Sequence, residues 1–285
     1  MRQAEGLAMN KRYISAAVGL IILAVTLYFI DLIAFDIILA SIGILALIEA
    51  VRAFFGRIRY VVLIPCALLM LLCLFFDLPK LFPVMPVIFL LFCGMMTARE
   101  NVKFRDAASV FLIALMLSGG FFSAISLRNM GATIWDKRLL VIYGLGFGWI
   151  CDTFAYTFGH LFGKRKLAIE ISPNKTIEGA VGGVLSTMLL SVGIYYLYAD
   201  LCDASSVFYT KNQLIHYVFI AAAGLIGGAV GVAGDLSVSY IKRQCGIKDF
   251  GNIMPGHGGA LDRVDSILFT AAFASLAFEL FFKYL

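Results

Sequence analysis

The sequence predicts an all-α fold, a polytopic transmembrane helix bundle of about nine spans with its N-terminus in the cytoplasm. Three observations predict it. Apolar residues make up 61% of the chain, where soluble domains hold about 45–50%. Charged residues make up 14%, where about a quarter is usual. The apolar runs are continuous and mostly about 17–22 residues long, enough for a helix to cross a hydrocarbon core about 30 Å thick. A membrane β-barrel would show short segments of alternating polarity instead.

The spans fall at about 13–30, 33–50, 60–76, 81–98, 107–127, 139–158, 177–198, 214–236 and 264–282. The first is too long for a signal peptide, lacks a small-residue cleavage pattern and is followed by further spans, so it is expected to remain. Orientation follows from lysine and arginine. With the N-terminus inside, 17 of the 23 basic residues lie in cytoplasmic segments and 6 lie outside, which is the positive-inside bias. An odd span number then puts the C-terminus outside and the polar loops 159–176 and 237–263 in the cytoplasm, where nucleotides are. The net charge of +5 reflects loop residues facing the anionic inner leaflet and gives no ground for a nucleic-acid partner.

Residues 1–138, with the first five spans, read as scaffold, and 139–285 as the catalytic region. No repeat or linker separates them, so they are expected to form a single integral-membrane unit. Pro65, Pro79, Pro83 and Pro86 are placed at span ends or in a short turn, where a missing N–H does little harm. Asp31, Asp36 and Asp77 are read as interfacial, and Glu49 as a satisfied interfacial partner of Arg52. Gly119 and Gly120 permit close helix packing. Cys66, Cys73, Cys93, Cys151, Cys202 and Cys245 form no CxxC and read as small core residues with no metal or disulfide role.

The sixth span carries Asp152 within WICDTFAYTFGHLFG. A carboxylate at that depth needs a cation, a donor cluster or a water-filled cavity, or else a hydrogen bond between helices. After it, Ser172, Pro173, Asn174, Lys175 and Thr176 read as a helix start, with Thr176 the N-cap and Glu178 in the first turn. Free N–H groups beside serine and lysine suit a phosphate. In the eighth span, Gly224, Gly227, Gly228, Gly231 and Gly234 make a smooth strip for a neighbouring helix. Asp235, Ser239 and Lys242 follow at spacings of four and three, sharing one face if the helix continues.

The stretch 235–265 is the densest in charge. Asp262 and Asp265 stand one helical turn apart, and with Asp235 they suit one or two magnesium ions. Such ions take one or two carboxylates plus water and phosphate oxygens. Two metals would clamp the attacking and leaving oxygens of a phosphoryl or nucleotidyl transfer. Lys242, Arg243, Lys248 and Arg263 supply the positive field that a triphosphate or phosphate headgroup needs. Pro255-Gly256-His257-Gly258-Gly259 is a tight turn whose N–H groups suit an anion. His257 reads as a donor or proton carrier, and one lone histidine is no zinc site.

The run from Ser239 through Lys242-Arg243, Lys248-Asp249, PGHGG and Asp262-Arg263-Val264-Asp265 resembles the signature of phosphatidate cytidylyltransferases, the CDP-diacylglycerol synthases. The upstream CDTFAY and SPNKT elements are similar to that family too, so the resemblance covers roughly 145–268. It implies a polytopic enzyme of the bacterial inner membrane that joins CTP to phosphatidic acid, giving CDP-diacylglycerol and pyrophosphate with magnesium. It also implies Asp235, Asp262 and Asp265 as metal ligands, and matches Lys248-Asp249, Ser172 and Lys175 to the family's motif positions. The chain departs from many relatives at Val238, where they carry an acidic residue, and at Ala260, where a larger aliphatic is common.

On this reading, Asp235, Lys248, Asp249, Asp262, Arg263 and Asp265 are the expected catalytic residues. Asp152, Ser172, Lys175, Ser239, Lys242, Arg243, His257, Gly258 and Gly259 are the expected substrate contacts. The lipid phosphate attacks the α-phosphate of CTP in line, and positioning and electrostatics do most of the catalysis. A monovalent ion is compatible with the site, and the apolar faces of the first five spans permit a homodimer without requiring one. The rival readings are a cytidylyltransferase or kinase acting on an isoprenoid lipid, an ion-coupled transporter, which would show internal repeats, and a non-catalytic scaffold.

Overall fold

The computed structural model describes residues 21, 23–75, 85, 87–89, 91–92, 94, 103–200, 205–209, 213–251 and 258–284. In order, the chain forms α1 (Ile33–Phe55), α2 (Tyr60–Phe75), α3 (Phe104–Met130) and α4 (Ile134–Phe162). It continues with β1 (Lys166–Ala168), β2 (Ser172–Thr176), α5 (Ile177–Ala199), α6 (Gln213–Gln244) and α7 (Leu261–Tyr284). All of these helices except α2 are long and apolar enough to cross a membrane, which makes six candidate spans among the described residues. The α2 helix is a shorter apolar one of 16 residues. The chain is thus an integral membrane protein of mainly helical build. Seven of the nine expected spans coincide with these helices, and the stretches 13–30 and 81–98 are only partly covered by the described residues.

Two details differ from the sequence reading. Residues 172–176, read as the approach to a helix, form β2, which pairs antiparallel with β1 inside the otherwise helical bundle, with Lys166 opposite Thr176 and Ala168 opposite Ser172. Pro65 lies within α2, not at its end. Asp77, Pro79, Pro83, Pro86, Cys93 and Cys202 lie outside the described residues, and Cys66, Cys73, Cys151 and Cys245 are free thiols.

The chain divides into two compact units. The first comprises 1–122 and 244–264. In it α1 packs along α2, and Gly43 lets the two approach. A Cβ there would lie 2.8 Å from Met70 Sδ and 3.1 Å from Phe121 Cε2. Fully buried Phe35, Leu47, Met70 and Leu117 belong to this unit's core. The first helix stops where Gly56 turns left-handed, with φ 68°, and its N–H returns to Arg52 O at 2.8 Å, the glycine cap that an L side chain resists.

The second unit comprises 123–243 and 265–285. Thr133 opens α4 with a reciprocal cap. Its side chain accepts from Asp136 N while Asp136 Oδ2 accepts from Thr133 N. The same carboxylate, fully buried, also takes Ser206 Oγ, Val207 N and the Tyr198 hydroxyl. A charge with that many donors is stable out of water and ties the 205–209 segment to the start of α4. The glycine strip on α6 works as expected for packing. Gly227 faces the Phe147 ring, Gly231 lies against Gly148 and Thr270, and Gly234 against Phe269. That contact surface delivers the next residue, Asp235, to the polar end of the unit.

Candidate active site

The α6 helix is longer than a membrane needs. Its 32 residues extend about 48 Å at 1.5 Å per residue, against about 30 Å of hydrocarbon. It therefore continues unbroken past the glycines, and Asp235, Ser239 and Lys242 do share one face. Ser239 Oγ donates to Asp235 Oδ1 at 3.2 Å. The other carboxylate oxygen, Oδ2, receives the Lys175 ammonium.

Lys175 reaches that position because of how its segment folds. Thr176 caps α5, its hydroxyl accepting from Gly179 N at 3.1 Å. Immediately before it, the strand pairing holds β2 extended, and Ile177 N donates to Arg165 O at 2.9 Å. Glu178 Oε2 accepts from Lys164 N and Arg165 N at 3.0 and 3.1 Å, fixing the chain as it leaves α4. The hairpin is braced from α6 by Arg243, whose Nε donates to Ile171 O at 3.0 Å. Arg243 was expected to contact substrate. Here its Nε serves the turn next to Ser172, which is half-buried in β2.

On α7, Asp265 is buried, 7% exposed, and Lys242 Nζ stands 3.6 Å from its Oδ2. Its Oδ1 takes Ser266 N at 2.9 Å. Asp235 and Asp152 are both close enough for their charges to act on Asp265. Asp152, on α4, is held by a donor the sequence did not reveal, for Ser266 Oγ donates to its Oδ2 at 2.8 Å. The interhelical hydrogen bond weighed for Asp152 is therefore present. The second unit thus gathers three carboxylates, Asp152, Asp235 and Asp265, around two ammoniums, Lys175 and Lys242. Carboxylates crowded this closely are sustained by the ammoniums paired with them, and the arrangement suits a charged guest.

The remaining expected residues belong to the first unit. Lys248 and Asp249 are exposed. Asp262 begins α7 with a buried carboxylate whose Oδ2 accepts from both Phe250 N and Gly259 N at 2.9 Å. Arg263 is exposed. Gly258 has φ 82°, a conformation costly to any residue with a Cβ. His257 lies outside the described residues.

Glu49 does feel the charge of Arg52, but it is also 2% exposed, and its Oε2 accepts from Leu261 N at 3.0 Å, a partner the sequence did not reveal. Of the glycine turn expected to aim its N–H groups at an anion, residues 255–257 lie outside the described residues, and the N–H of Gly259 donates to the chain's own Asp262.

At the two departures, Val238 is 1% exposed and Ala260 8%. Both are packed positions, and a larger or charged side chain would need room that the fold does not leave. Among the described residues, no three His, Cys, Asp or Glu are arranged to hold a metal ion.

Comparison with known proteins agrees with the resemblance drawn from the motifs. A model of the cytidylyltransferase family matches residues 10–281. A phosphatidate cytidylyltransferase of Bacillus subtilis (strain 168) is 36% identical over 186 residues, 64% of this chain and 62% of its own length. One of Staphylococcus aureus (strain COL) is 35% identical over 172 residues, 60% of this chain and 59% of its own. One of Staphylococcus haemolyticus (strain JCSC1435) is 33% identical over 181 residues, 64% and 62% respectively. The chain thus spans about three fifths of the length of the relatives it matches.

Proposed function

The chain belongs to the cytidylyltransferase family, and from that premise we propose that it transfers the cytidylyl group of CTP to phosphatidic acid, releasing pyrophosphate and forming CDP-diacylglycerol. The observation that carries this reading is the cluster of Asp152, Asp235 and Asp265 with Lys175 and Lys242, set among helices of membrane length. Carboxylates and ammoniums gathered at the polar end of helices of membrane length suit a charged reactant better than a packing role. The three relatives are named phosphatidate cytidylyltransferase, which supports the donor and acceptor named here.

In the reaction, an oxygen of the lipid phosphate monoester forms a bond to the α-phosphorus of CTP. The bond from that phosphorus to the bridging oxygen of the β-phosphate breaks, and pyrophosphate departs. A phosphate monoester dianion is nucleophilic already, so no strong general base is needed. What the chain must supply is alignment and positive charge. Lys175 and Lys242 bring that charge, held in place by Asp235 and Asp265. Ser239 orients Asp235, and Ser266 orients Asp152. Arg243 keeps the Lys175 hairpin seated on α6. Lys248, Asp249 and Arg263, exposed in the other unit, are suited to phosphate or cytidine contact, as the resemblance implies.

The donor set also fits magnesium. Carboxylate oxygens are hard donors, and Asp152, Asp235 and Asp265 lie near enough to one another for a bound cation to relieve their mutual repulsion. An ion that takes only one or two carboxylates requires no larger protein cage. Asp235 and Asp265 would hold it, and bound there it would supply charge neutralisation for the phosphates. Asp262 as a third ligand rests on the resemblance alone.

We place the site on the cytoplasmic side of an inner membrane, with nine spans and the N-terminus inside. The positive-inside distribution and the need for CTP support this placement. The deciding experiment uses the full chain purified in detergent with radiolabelled CTP, phosphatidic acid and magnesium. Labelled CDP-diacylglycerol and released pyrophosphate are expected. A folded preparation that forms neither, or that prefers an isoprenoid phosphate or alcohol to phosphatidic acid, overturns the reading.

A further inference from the structure

A buried carboxylate in the N-terminal half acts on the C-terminal motif. Glu49 sits in α1, a helix that the sequence marks only as scaffold, and its carboxylate enters a slot between two backbones. A Cβ at Gly251 would collide with Glu49 Oε1, and one at Gly259 with both carboxylate oxygens. The absence of side chains at these two positions is what makes room for the acid. Oε2 accepts from Leu261 N at 3.0 Å. Oε1 is buried without a hydrogen-bond partner among the described residues. An ionisable group in such a place is unfavourable unless the surrounding structure depends on it.

Glu49 and Asp262 act on the same turn from opposite ends. Asp262 Oδ2 takes the N–H groups of Phe250 and Gly259, and Glu49 takes that of Leu261. Backbone donors on both sides of Ala260 are therefore tied to carboxylates that lie 213 positions apart in the chain. This fixes the turn that begins at left-handed Gly258 and the first residues of α7.

We propose that Glu49 is a positioning residue. It holds the 258–261 turn, which Asp262 also secures, in the one arrangement that presents the exposed Arg263 to the nucleotide. The proposal rests on the cytidylyltransferase reading, but the anchoring it requires can be measured without turnover.

The test uses the full chain in detergent, with Glu49→Ala, Glu49→Gln, Gly259→Ala and the double variant E49A/G259A. Kinetics with CTP and hydrogen–deuterium exchange over 258–264 are measured together. Loss of a hydrogen bond to a charged acceptor predicts that E49A raises the KM for CTP by about tenfold or more, with a smaller change in kcat. E49Q, which keeps an oxygen for Leu261 N, stays within about threefold of wild type. G259A is severe alone but adds little to E49A, because the clash it makes is with the acid already removed. Exchange at the Leu261 amide rises in E49A and not in E49Q.

The proposal is overturned if folded E49A keeps the wild-type KM, if its effect and that of G259A simply multiply, or if the Leu261 amide stays protected. Should E49A fail to fold, E49Q and E49D decide. The shorter Asp loses its reach to Leu261, so only E49D is expected to raise KM and exchange, and equal behaviour of the two overturns the proposal. Inactive wild-type protein would count against the cytidylyltransferase reading, and the exchange result would still judge Glu49.

Discussion

Lys175, on the short hairpin, and Asp235, on α6, stand 60 positions apart in the chain and join through Nζ and Oδ2. This pair links the helix-start segment to the charged stretch that follows the glycine strip. It leaves 27% of the lysine and 18% of the aspartate side chain exposed. The pair thus falls between a surface pair, worth up to about 1 kcal/mol, and a buried one, whose halving costs about 3–5 kcal/mol.

Replacing Lys175 by Met is therefore expected to lower stability by about 1–3 kcal/mol. CDP-diacylglycerol formation is expected to fall by at least about a hundredfold, since a preorganised charge at the reacting phosphates is lost. The double variant K175M/D235L should regain stability without regaining activity, because neither member of the pair is left without its partner. Unfolding in detergent, measured beside turnover, separates the two effects.

The parts of this arrangement that were legible in the sequence are those set by local geometry. Thr176 is a cap because a hydroxyl can reach the amide three residues on, and Asp235 and Ser239 meet because four residues make about one helical turn. The hairpin was not legible. Its strands are of three and five residues, the second polar and interrupted by Pro173, and no alternation of apolar residues marks them. The partners of Asp152 and Glu49 were hidden for a different reason. Ser266 and Leu261 lie 114 and 212 positions away from them, and no periodicity records which helices become neighbours. The spans themselves were readable because continuous apolar length is a composition property.

The glycine strip predicts a contrast between helices. Gly227→Ala on α6 puts a Cβ against the Phe147 ring, and Gly183→Ala on α5 puts one 2.6 Å from Cys151 O. Both should lower stability by about 1–3 kcal/mol through overpacking. Gly119→Ala on α3 meets nothing within 4 Å, so it should be neutral or stabilise by about 0.5–1 kcal/mol through helix propensity. Thermal unfolding of the three variants in one detergent tests the contrast.

Magnesium dependence should follow the carboxylates of the second unit. Chelation is expected to abolish product formation and added magnesium to restore it. In Asp265→Asn, half-maximal rate should require at least about tenfold more magnesium. In Lys242→Met the ammonium 3.6 Å from Asp265 Oδ2 is gone, and the same titration should shift the other way. A charge that competes with the ion has been removed. A magnesium titration of each variant at saturating CTP reads both shifts, and their opposite signs are the point of the comparison.

Ser266 and Asp152 allow hydrogen bonding to be distinguished from charge. Ser266 is 1% exposed and donates to Asp152 Oδ2 at 2.8 Å, while a Cβ at Gly148 would come within 2.9 Å of its hydroxyl oxygen. The hydroxyl is thus confined on one side and committed on the other. Ser266→Ala removes the donor and is expected to lower stability by about 1.5–3 kcal/mol, the range for a hydrogen bond to a charged group. Asp152→Asn keeps an acceptor oxygen for Ser266 but removes the charge. If Asp152 serves only to join α4 to α7, D152N should retain activity and S266A should be the more damaging. If its charge belongs to the substrate site, the order reverses, with D152N folded and deficient in turnover. The Asp152, Asp235 and Asp265 cluster leads us to expect the second result, because a charge kept beside two other carboxylates opposes stability unless a cation is to be bound.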